Sequence, residues 1–283
     1  MHRCHRKKRG PRNVPSIAAK SIIRSTFADT TAVDFVRFVH HVQQMEHPWV
    51  MLKTGSTMPD IARKIGDFED WFAQRLGMHR TDFLIVPVAE GATPPPAISV
   101  GAVIITGSPA MVTAQEPWIK ASSAWLREVW QQNRPMLGVC FGHQLLADAL
   151  GGEVAANPMG REMGTMLLDK TMEAHSDPLF APLDTSFAAF ETHSEIVTRL
   201  PPNAFLLASS RLCTHQAFRI GCTWGVQFHP EFDAITMREY IIARSDDLRR
   251  EGLDPDLLLS NVRECSAGNT ILQRFLAFVQ QHS

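Results

Sequence analysis

Cys140 is the residue of this sequence best placed for nucleophilic chemistry. It follows the short apolar run Met136-Leu-Gly-Val139 and precedes a helical pattern, and Gly138 and Gly142 flank it in a G-x-C-x-G spacing. This pattern predicts a strand that turns abruptly into a helix, because the flanking glycines leave room for neighbouring backbone at the bend. We therefore expect the thiol to be presented at the carboxyl edge of a sheet.

A helix that starts directly after Cys140 would assist acyl transfer in two ways. The positive end of its dipole favours the thiolate, which is the nucleophilic form of the sulfur. The unpaired N–H groups of its first turn, chiefly that of Phe141, would face the oxygen of an attacked carbonyl. Loss of one such donor typically costs about 100- to 1,000-fold in rate.

The sequence Gly225-Val-Gln-Phe-His-Pro-Glu231 offers an acid/base residue for such a nucleophile. A thiolate mechanism needs a proton donor for the leaving group, and a histidine oriented by a carboxylate can supply one. Residues two apart at the end of a strand project to the same side, so Glu231 is expected to reach the imidazole of His229. Neither spacing is decisive alone, since a lone buried Cys or His most often serves packing.

The elements that must position these residues are indicated from Trp49 onward. Apolar runs of strand length alternate there with amphipathic stretches of helix length, which predicts a parallel sheet covered on both faces. The predicted strands are residues 50–53, 83–88, 102–106, 136–139, 165–168, 204–208 and 223–228. The predicted helices are residues 59–76, 117–132, 144–150, 234–250 and 269–281.

The composition of the 283-residue chain is that of an ordinary globular protein, with 45% hydrophobic and 20% charged residues. Such values exclude a chain dominated by disorder, collagen-like repeats or coiled coil. No apolar run reaches the ~18 residues that a membrane span requires. We expect one principal domain over residues 49–283.

The N-terminal segment differs in charge from the rest of the chain. Residues 1–28 hold eight Lys and Arg and no Asp or Glu, which leaves 20 basic against 29 acidic residues elsewhere. This acidic body argues against a general nucleic-acid binder. Residues 1–48 are predicted to form a basic, disordered extension with a weak helix at 33–39, and they lack a secretory signal. A transit peptide, a nucleic-acid arm, or a natural start at Met45 are the alternatives.

The cysteines indicate a reducing compartment and hence a cytoplasmic protein. They are odd in number and widely spaced, at positions 4, 140, 213, 222 and 265, which does not suit a disulfide framework. Cys213, His215 and Cys222 lack a C-x-x-C pair or a fourth ligand, so no metal site is predicted.

Taken together, the two motifs resemble the class I glutamine amidotransferase family. The match consists of Pro135-x-x-Gly-x-Cys-x-Gly-x-Gln-Leu145 and, some ninety residues later, Gly225-x-Gln-Phe-His-Pro-Glu231. The resemblance extends over most of residues 49–283 and is strongest to stand-alone proteins similar to the glutaminase part of GMP synthase. It implies a Rossmann-like α/β three-layer sandwich with a central, mostly parallel sheet. It also implies hydrolysis of the glutamine side-chain amide to glutamate and ammonia.

The resemblance implies a role for each matching residue. Cys140 would form a γ-glutamyl thioester, His229 would act as the acid/base, and Glu231 would orient His229. The backbone N–H groups of Gly107, in the sequence Ile104-Ile-Thr-Gly-Ser-Pro109, and of Phe141 would form the oxyanion hole.

Substrate contacts are implied for Gln144 and for the loop residues Thr192, His193 and Ser194. A polar cap of the first helical turn is the alternative role for Gln144. Members similar to GMP synthase more often read Ser-His-Gly-Asp where this chain reads Thr192-His-Ser-Glu195. A serine in place of a glycine can alter how closely the backbone approaches the substrate, which leaves open whether free glutamine or a γ-glutamyl compound is preferred.

The chain is not expected to activate an acceptor with ATP, because it contains no G-x-x-x-x-G-K-[ST] loop. About fifty residues follow Glu231, which is too few for a synthetase domain. We therefore expect a small-molecule substrate, no cofactor, and a separate protein that receives the ammonia, with neither nucleic acid nor membrane as a partner. The alternatives are a γ-glutamyl hydrolase or peptidase on the same fold, and a non-catalytic protein with a regulatory or binding role.

Overall fold

The computed structural model describes residues 47–282. Its strands are β1 (Trp49–Lys53), β2 (Phe83–Pro87), β3 (Ala102–Ile105), β4 (Met136–Val139), β5 (Glu153–Ala156), β6 (Glu162–Lys170), β7 (Ser186–His193), β8 (Glu195–Arg199), β9 (Phe205–Ser209), β10 (Ala217–Ile220) and β11 (Thr223–Val226). Its helices are α1 (Pro59–Ile65), α2 (Phe68–Leu76), α3 (Pro117–Gln131), α4 (Phe141–Ala149), α5 (Ala234–Ala243), α6 (Ser245–Arg250), α7 (Pro255–Asn261) and α8 (Ala267–His282).

A nine-stranded sheet in the order β2-β1-β3-β4-β11-β10-β9-β6-β7 forms the centre of the structure. Strands β2, β1, β3, β4 and β11 are parallel, and the remaining four continue the sheet in antiparallel pairs. Strands β5 and β8 form a separate antiparallel ribbon. Because parallel strands point the same way, β3, β4 and β11 end at one edge, where Gly107, Cys140 and His229 follow.

Helices cover both faces of this sheet, as the alternation of side chains in β1 shows. Trp49 and Met51 belong to the core against α1, α2, α5 and α8, whereas Val50 and Leu52 belong to the core against α3 and α4. Successive strand residues point to opposite faces, so a strand between two helical layers is apolar throughout. The predicted α/β sandwich is thereby confirmed.

The predicted helix 59–76 is wrong as a single element. Gly66, with φ +86°, ends α1, and Asp67 caps α2. The Asp67 carboxylate accepts a hydrogen bond from the backbone N–H of Phe68 at 2.8 Å, while Asp70 accepts one from the N–H of Asp67 at 3.0 Å. This capping box satisfies N–H groups that a continuous helix would have used internally.

The predicted helix 234–250 is also wrong as a single element. It divides into α5 and α6 at Arg244, whose φ of −103° and ψ of 11° leave the helical range. The structure adds elements that the sequence patterns did not predict, namely β5, β7, β8, β10 and α7.

The predicted extension over residues 1–48 lies outside the described residues except for His47 and Pro48. The predicted helix at 33–39 and the possible start at Met45 fall in the same undescribed part. Within residues 47–282, no helix combines the length and apolarity needed to cross a membrane.

Candidate active site

Cys140 occupies the predicted bend between β4 and α4. Its backbone has φ 52° and ψ −103°, a combination that side-chain-bearing residues rarely adopt and that costs on the order of 1–3 kcal/mol. Two backbone hydrogen bonds hold it there: Cys140 N–H donates to the Val226 carbonyl at 2.9 Å, and Gln144 N–H donates to the Cys140 carbonyl at 3.1 Å. The surrounding sheet and helix therefore maintain the strained nucleophile position.

The two glycines flanking Cys140 are required by close backbone approach. A Cβ atom at Gly142 would lie 2.4 Å from the carbonyl oxygen of Ile105, and one at Gly138 would lie 2.4 Å from that of Gly142. The end of a flexible side chain could move away from such a contact, but these backbone atoms are held in place by the strands and the helix. The G-x-C-x-G spacing thus reflects the tight packing of the α4 N-terminus against the sheet.

His229 follows β11 and is oriented by Glu231 and by two aromatic rings. Its Nδ1 lies 2.8 Å from Oε1 of Glu231, with both side chains buried. The Phe232 ring stacks on the imidazole at 4.2 Å between centroids, and the Phe68 ring lies parallel to it at 6.5 Å. Among the described residues, Nε2 has no nitrogen or oxygen partner, and the imidazole interacts with the side chain of Cys140.

The charge environment favours a protonated His229. Burial lowers its pKa, but the carboxylate of Glu231 and the neighbouring Cys140 outweigh burial and raise the pKa to about 10. An imidazolium at neutral pH is the partner that a thiolate requires. The sequence prediction placed these three residues in one catalytic group, and the structure brings them together.

The two residues implied for an oxyanion hole are Phe141, which directly follows Cys140 in the chain, and Gly107, which lies in the loop after β3. Phe141 is the first residue of α4, and the first N–H groups of a helix have no acceptor within it. Gly107 follows β3, and a Cβ placed on it would lie 3.1 Å from Cε1 of His229. The loop thus passes directly beside the imidazole, so a larger residue at 107 would press on the ring.

Two cavities flank Cys140 in the described part of the chain. The first, called here the Gln144 cavity, is lined by Gln144 together with Ala110, Met111, Phe141, Arg161, His193, Ser194 and Glu195. The second, called the His229 cavity, is lined by His229 together with Ser56, Thr57, Met58, Phe68 and Tyr240. Both cavities share Ser108, Pro109, Cys140, Thr192 and Arg244.

All four residues implied for substrate binding border the Gln144 cavity, yet Gln144 also supports the protein itself. Its Nε2 donates to the carbonyl oxygen of Glu195 at 2.7 Å and to Oε1 of Gln227 at 3.0 Å. It therefore ties the loop at residues 192–195 to the helix that carries Cys140. The carbonyl oxygen of Thr192 lies 3.9 Å from Sγ of Cys140.

His193 is held by a buried cluster of carboxylates. Its Nε2 lies 3.0 Å from Oε2 of Glu162 and 3.2 Å from Oε2 of Glu191, while Nδ1 lies 3.1 Å from the carbonyl oxygen of Glu195. Because acceptors face both ring nitrogens, only the doubly protonated imidazolium satisfies them. Burial lowers the pKa of His193, but Glu162 and Glu191 raise it to about 10. Burial also raises the pKa of Glu191.

Sequence reasoning did not identify Glu162 or Arg244 as residues of this site. Glu162 begins β6 and accepts hydrogen bonds from Ser210 and Gln216 at 2.6 and 2.9 Å, so its buried charge is compensated. A lone Glu in a strand and a lone Arg in a predicted helix carry no local signal. Their positions depend on contacts between distant parts of the chain.

The remaining described cysteines are also free thiols. Burial raises the pKa of Cys213 and of Cys222, and it raises the pKa of Cys265 to about 11. Within residues 47–282, no group of three or more His, Cys, Asp or Glu side chains is arranged to hold a metal ion.

Comparisons with known proteins show what this chain is similar to. The sequence model of the family "Glutamine amidotransferase class-I" matches residues 65–246. One subunit of glutamine-hydrolyzing GMP synthase from Ignicoccus hospitalis is 37% identical over 140 residues, covering 49% of this chain and 70% of that protein. Gamma-glutamyl peptidase 3 from Arabidopsis thaliana is 30% identical over 144 residues, covering 49% and 57%.

A solved structure shows the same architecture. The crystal structure of a glutamine amidotransferase from Thermotoga maritima superposes with a TM-score of 0.66 at 25% identity and covers 82% of this chain and 98% of that one. The structural similarity therefore extends over most of this chain.

Proposed function

Because this chain belongs to the class I glutamine amidotransferase family, we propose that it hydrolyses the side-chain amide of glutamine through a γ-glutamyl thioester on Cys140. One observation carries this proposal. A cysteine at a strained strand-to-helix bend interacts with a buried histidine, and a glutamate lies 2.8 Å from the other ring nitrogen of that histidine.

The first half of the reaction forms the thioester. The Cys140 thiolate attacks the γ-carbonyl carbon, so a C–S bond forms and the carbonyl oxygen becomes an oxyanion. The backbone N–H groups of Phe141 and Gly107 are proposed to stabilise that charge. The C–N bond then breaks, and His229 donates its Nε2 proton to the departing nitrogen, which leaves as ammonia.

The second half regenerates the enzyme. Neutral His229 takes a proton from a water molecule, whose oxygen attacks the thioester carbonyl and displaces the sulfur as thiolate. The products are glutamate and the original thiolate–imidazolium pair. Glu231 contributes by holding the imidazole and by stabilising its charged form, so it acts through His229 rather than on the substrate.

The amino-acid end of glutamine is proposed to bind in the Gln144 cavity. Gln144, Thr192, His193 and Ser194 border this cavity, which also contains Phe141 of the proposed oxyanion hole. A substrate whose carbonyl oxygen faces Phe141 would therefore extend its amino-acid end past these four residues. The nitrogen that leaves would point toward His229.

A separate protein is proposed to receive the ammonia. The Ignicoccus relative is named as one component of a glutamine-hydrolyzing GMP synthase, which supports an acceptor on another chain. Residues 49–283 are proposed to act as one catalytic domain, and the free thiols of the described cysteines support the proposed cytoplasmic location.

Hydrolysis of other γ-glutamyl compounds is the second candidate function. It is favoured by the space beside His229 and by the relative named as a γ-glutamyl peptidase. The thioester and both proton transfers would be the same, and only the amine that departs would differ.

Mass spectrometry of the protein trapped with glutamine tests the proposal. Addition of one glutamyl group to Cys140, together with ammonia release in solution, is the expected result. Cys140→Ala should show neither, whereas the matched control Cys222→Ala should show both. If the biological function of the protein is the same in wild type and Cys140→Ala, a non-catalytic regulatory role is supported instead.

A further inference from the structure

Arg244 lines the active site and has no ion-pair partner among residues 47–282. Its side chain borders both the Gln144 cavity and the His229 cavity. Its Nε atom is buried without a hydrogen-bond partner among the described residues, and no carboxylate of residues 47–282 forms an ion pair with it. Arg161, which also lines the Gln144 cavity, is by contrast paired with Glu251 through contacts of 2.7 and 3.1 Å.

Two hydrogen bonds fix the backbone at Arg244. Its N–H donates to the Tyr240 carbonyl at 3.1 Å, and its own carbonyl accepts from Leu248 at 2.9 Å. Because α5 ends at Ala243 and α6 begins at Ser245, the guanidinium is carried at the corner between two helices. A buried N–H group without an acceptor is unfavourable, and a carboxylate from a ligand is the acceptor that best matches a guanidinium.

The position of the His229 cavity identifies which part of a substrate meets Arg244. His229 donates the proton to the leaving nitrogen, so the cavity beside it receives the leaving group. Ammonia is similar in size to water, which needs roughly 10–15 Å³ of cavity volume, whereas the His229 cavity, which is open to solvent, has a volume of about 50 Å³. The walls of this cavity combine apolar Phe68 and Met58 with the hydroxyl groups of Thr57 and Tyr240, which lie 2.7 Å apart.

We propose that Arg244 is a specificity-determining residue that binds the carboxylate of an amino-acid leaving group, so that γ-glutamyl amino acids and γ-glutamyl dipeptides are substrates. This inference rests on the thioester mechanism of the proposed function. The balance of bonds is unchanged, because the amide C–N bond breaks, the amine of the departing amino acid takes the His229 proton, and water cleaves the thioester.

Three substrates test whether Arg244 binds a carboxylate on the leaving group. γ-Glutamylglycine carries a carboxylate on its leaving group, γ-glutamylmethylamide has a leaving group of one carbon without a carboxylate, and glutamine releases ammonia. Arg244→Gln should lower kcat/KM for γ-glutamylglycine by about 10- to 100-fold, as expected for loss of one charge-assisted hydrogen bond. The other two substrates should change by less than about threefold, and Arg244→Lys should restore part of the loss.

Arg249→Gln is the matched control, because Arg249 lies on α6 with its side chain 55% exposed and pairs with Asp246 away from the cavities. This variant should leave all three substrates unaffected. An equal loss for all three in Arg244→Gln would overturn the inference, since it would place the guanidinium on the α-carboxylate of the glutamyl half or in a structural role. If wild type hydrolyses glutamine but prefers γ-glutamylmethylamide to γ-glutamylglycine, only this inference fails. If wild type forms no glutamyl adduct with any of the three, the proposed function fails as well.

Discussion

Replacement of Glu231 by glutamine tests how the charge of the catalytic pair is maintained. The substitution preserves the shape of the side chain of Glu231, a residue that is 2% exposed, but removes its negative charge. In the native protein that charge lies 2.8 Å from Nδ1 of His229 and is the largest contribution that raises the pKa of the imidazole, to about 10. Without it, burial favours the neutral ring and only the neighbouring Cys140 opposes burial.

The magnitude follows from the pKa of His229. Loss of a nearby opposite charge typically changes a pKa by about 1–3 units, and each unit corresponds to about 1.4 kcal/mol. The ratio of the thiolate–imidazolium pair to the neutral pair should fall about tenfold for each unit. The glutamine amide can also present its NH₂ group to Nδ1 and impose the wrong tautomer, as an Asp-to-Asn change does in serine proteases at a cost of about 10⁴-fold in kcat. We expect turnover to fall about 10²- to 10⁴-fold.

Two pH profiles measure the effect. The rate of Cys140 alkylation by iodoacetamide reports the thiolate, and glutamine hydrolysis reports the complete cycle. In Glu231→Gln the alkylation rate at pH 7 should fall, and the basic limb of kcat, where imidazolium loses its proton, should move to lower pH. Glu128→Gln is the matched control, because Glu128 is exposed on α3 and distant in sequence from the site.

An unchanged alkylation profile in Glu231→Gln would refute the reasoning, even if turnover fell. Such a result would mean that Glu231 only positions the ring and that the thiolate is stabilised by other groups. A loss of turnover below about threefold would contradict the assigned role of the carboxylate altogether.

Three further predictions follow from the packing and charges around the site. Gly142→Ala should destabilise the fold by about 1–3 kcal/mol, because its Cβ would meet the Ile105 carbonyl at 2.4 Å; an unchanged urea midpoint would contradict this. His193 has a folded-state pKa of about 10 against an ordinary 6.5, so its stabilisation is complete below about pH 6.5 and is lost as the pH rises through 10. His193→Asn should therefore flatten the fall in unfolding free energy between those values, and an equally steep fall would exclude the assigned charge. Iodoacetamide should modify Cys140 before Cys265, whose pKa burial raises to about 11, and peptide mapping that found the reverse order would contradict this.

The parts of the fold and site that could be predicted from the sequence are those with a local signal. The strand at residues 136–139 and the glycines around Cys140 specify a bend, and the spacing of His229 and Glu231 specifies their contact. Each depends on neighbouring residues and on the two-residue period of a strand. That Cys140 and His229 would lie together followed from the resemblance and from the parallel sheet.

The errors arose where tertiary contacts decided the outcome. The continuous pattern of residues 59–76 concealed the break at Gly66, since a single glycine within a helical pattern is tolerated unless a cap follows it. The Asp67 cap that follows was a signal that the pattern alone did not weigh. The antiparallel strand β7 contains Glu191, whose burial beside His193 no local rule would predict.

The positive φ of Cys140 has an evolutionary consequence. Glycine adopts such a backbone conformation without steric penalty, so an inert protein with glycine at position 140 would avoid the strain that the nucleophile imposes. Replacement of Cys140 by glycine should thus abolish activity and stabilise the folded state. A lineage in which turnover is no longer selected should therefore accumulate glycine at this position. Persistence of the thiol in a descendant is itself a sign that selection for chemistry is still acting.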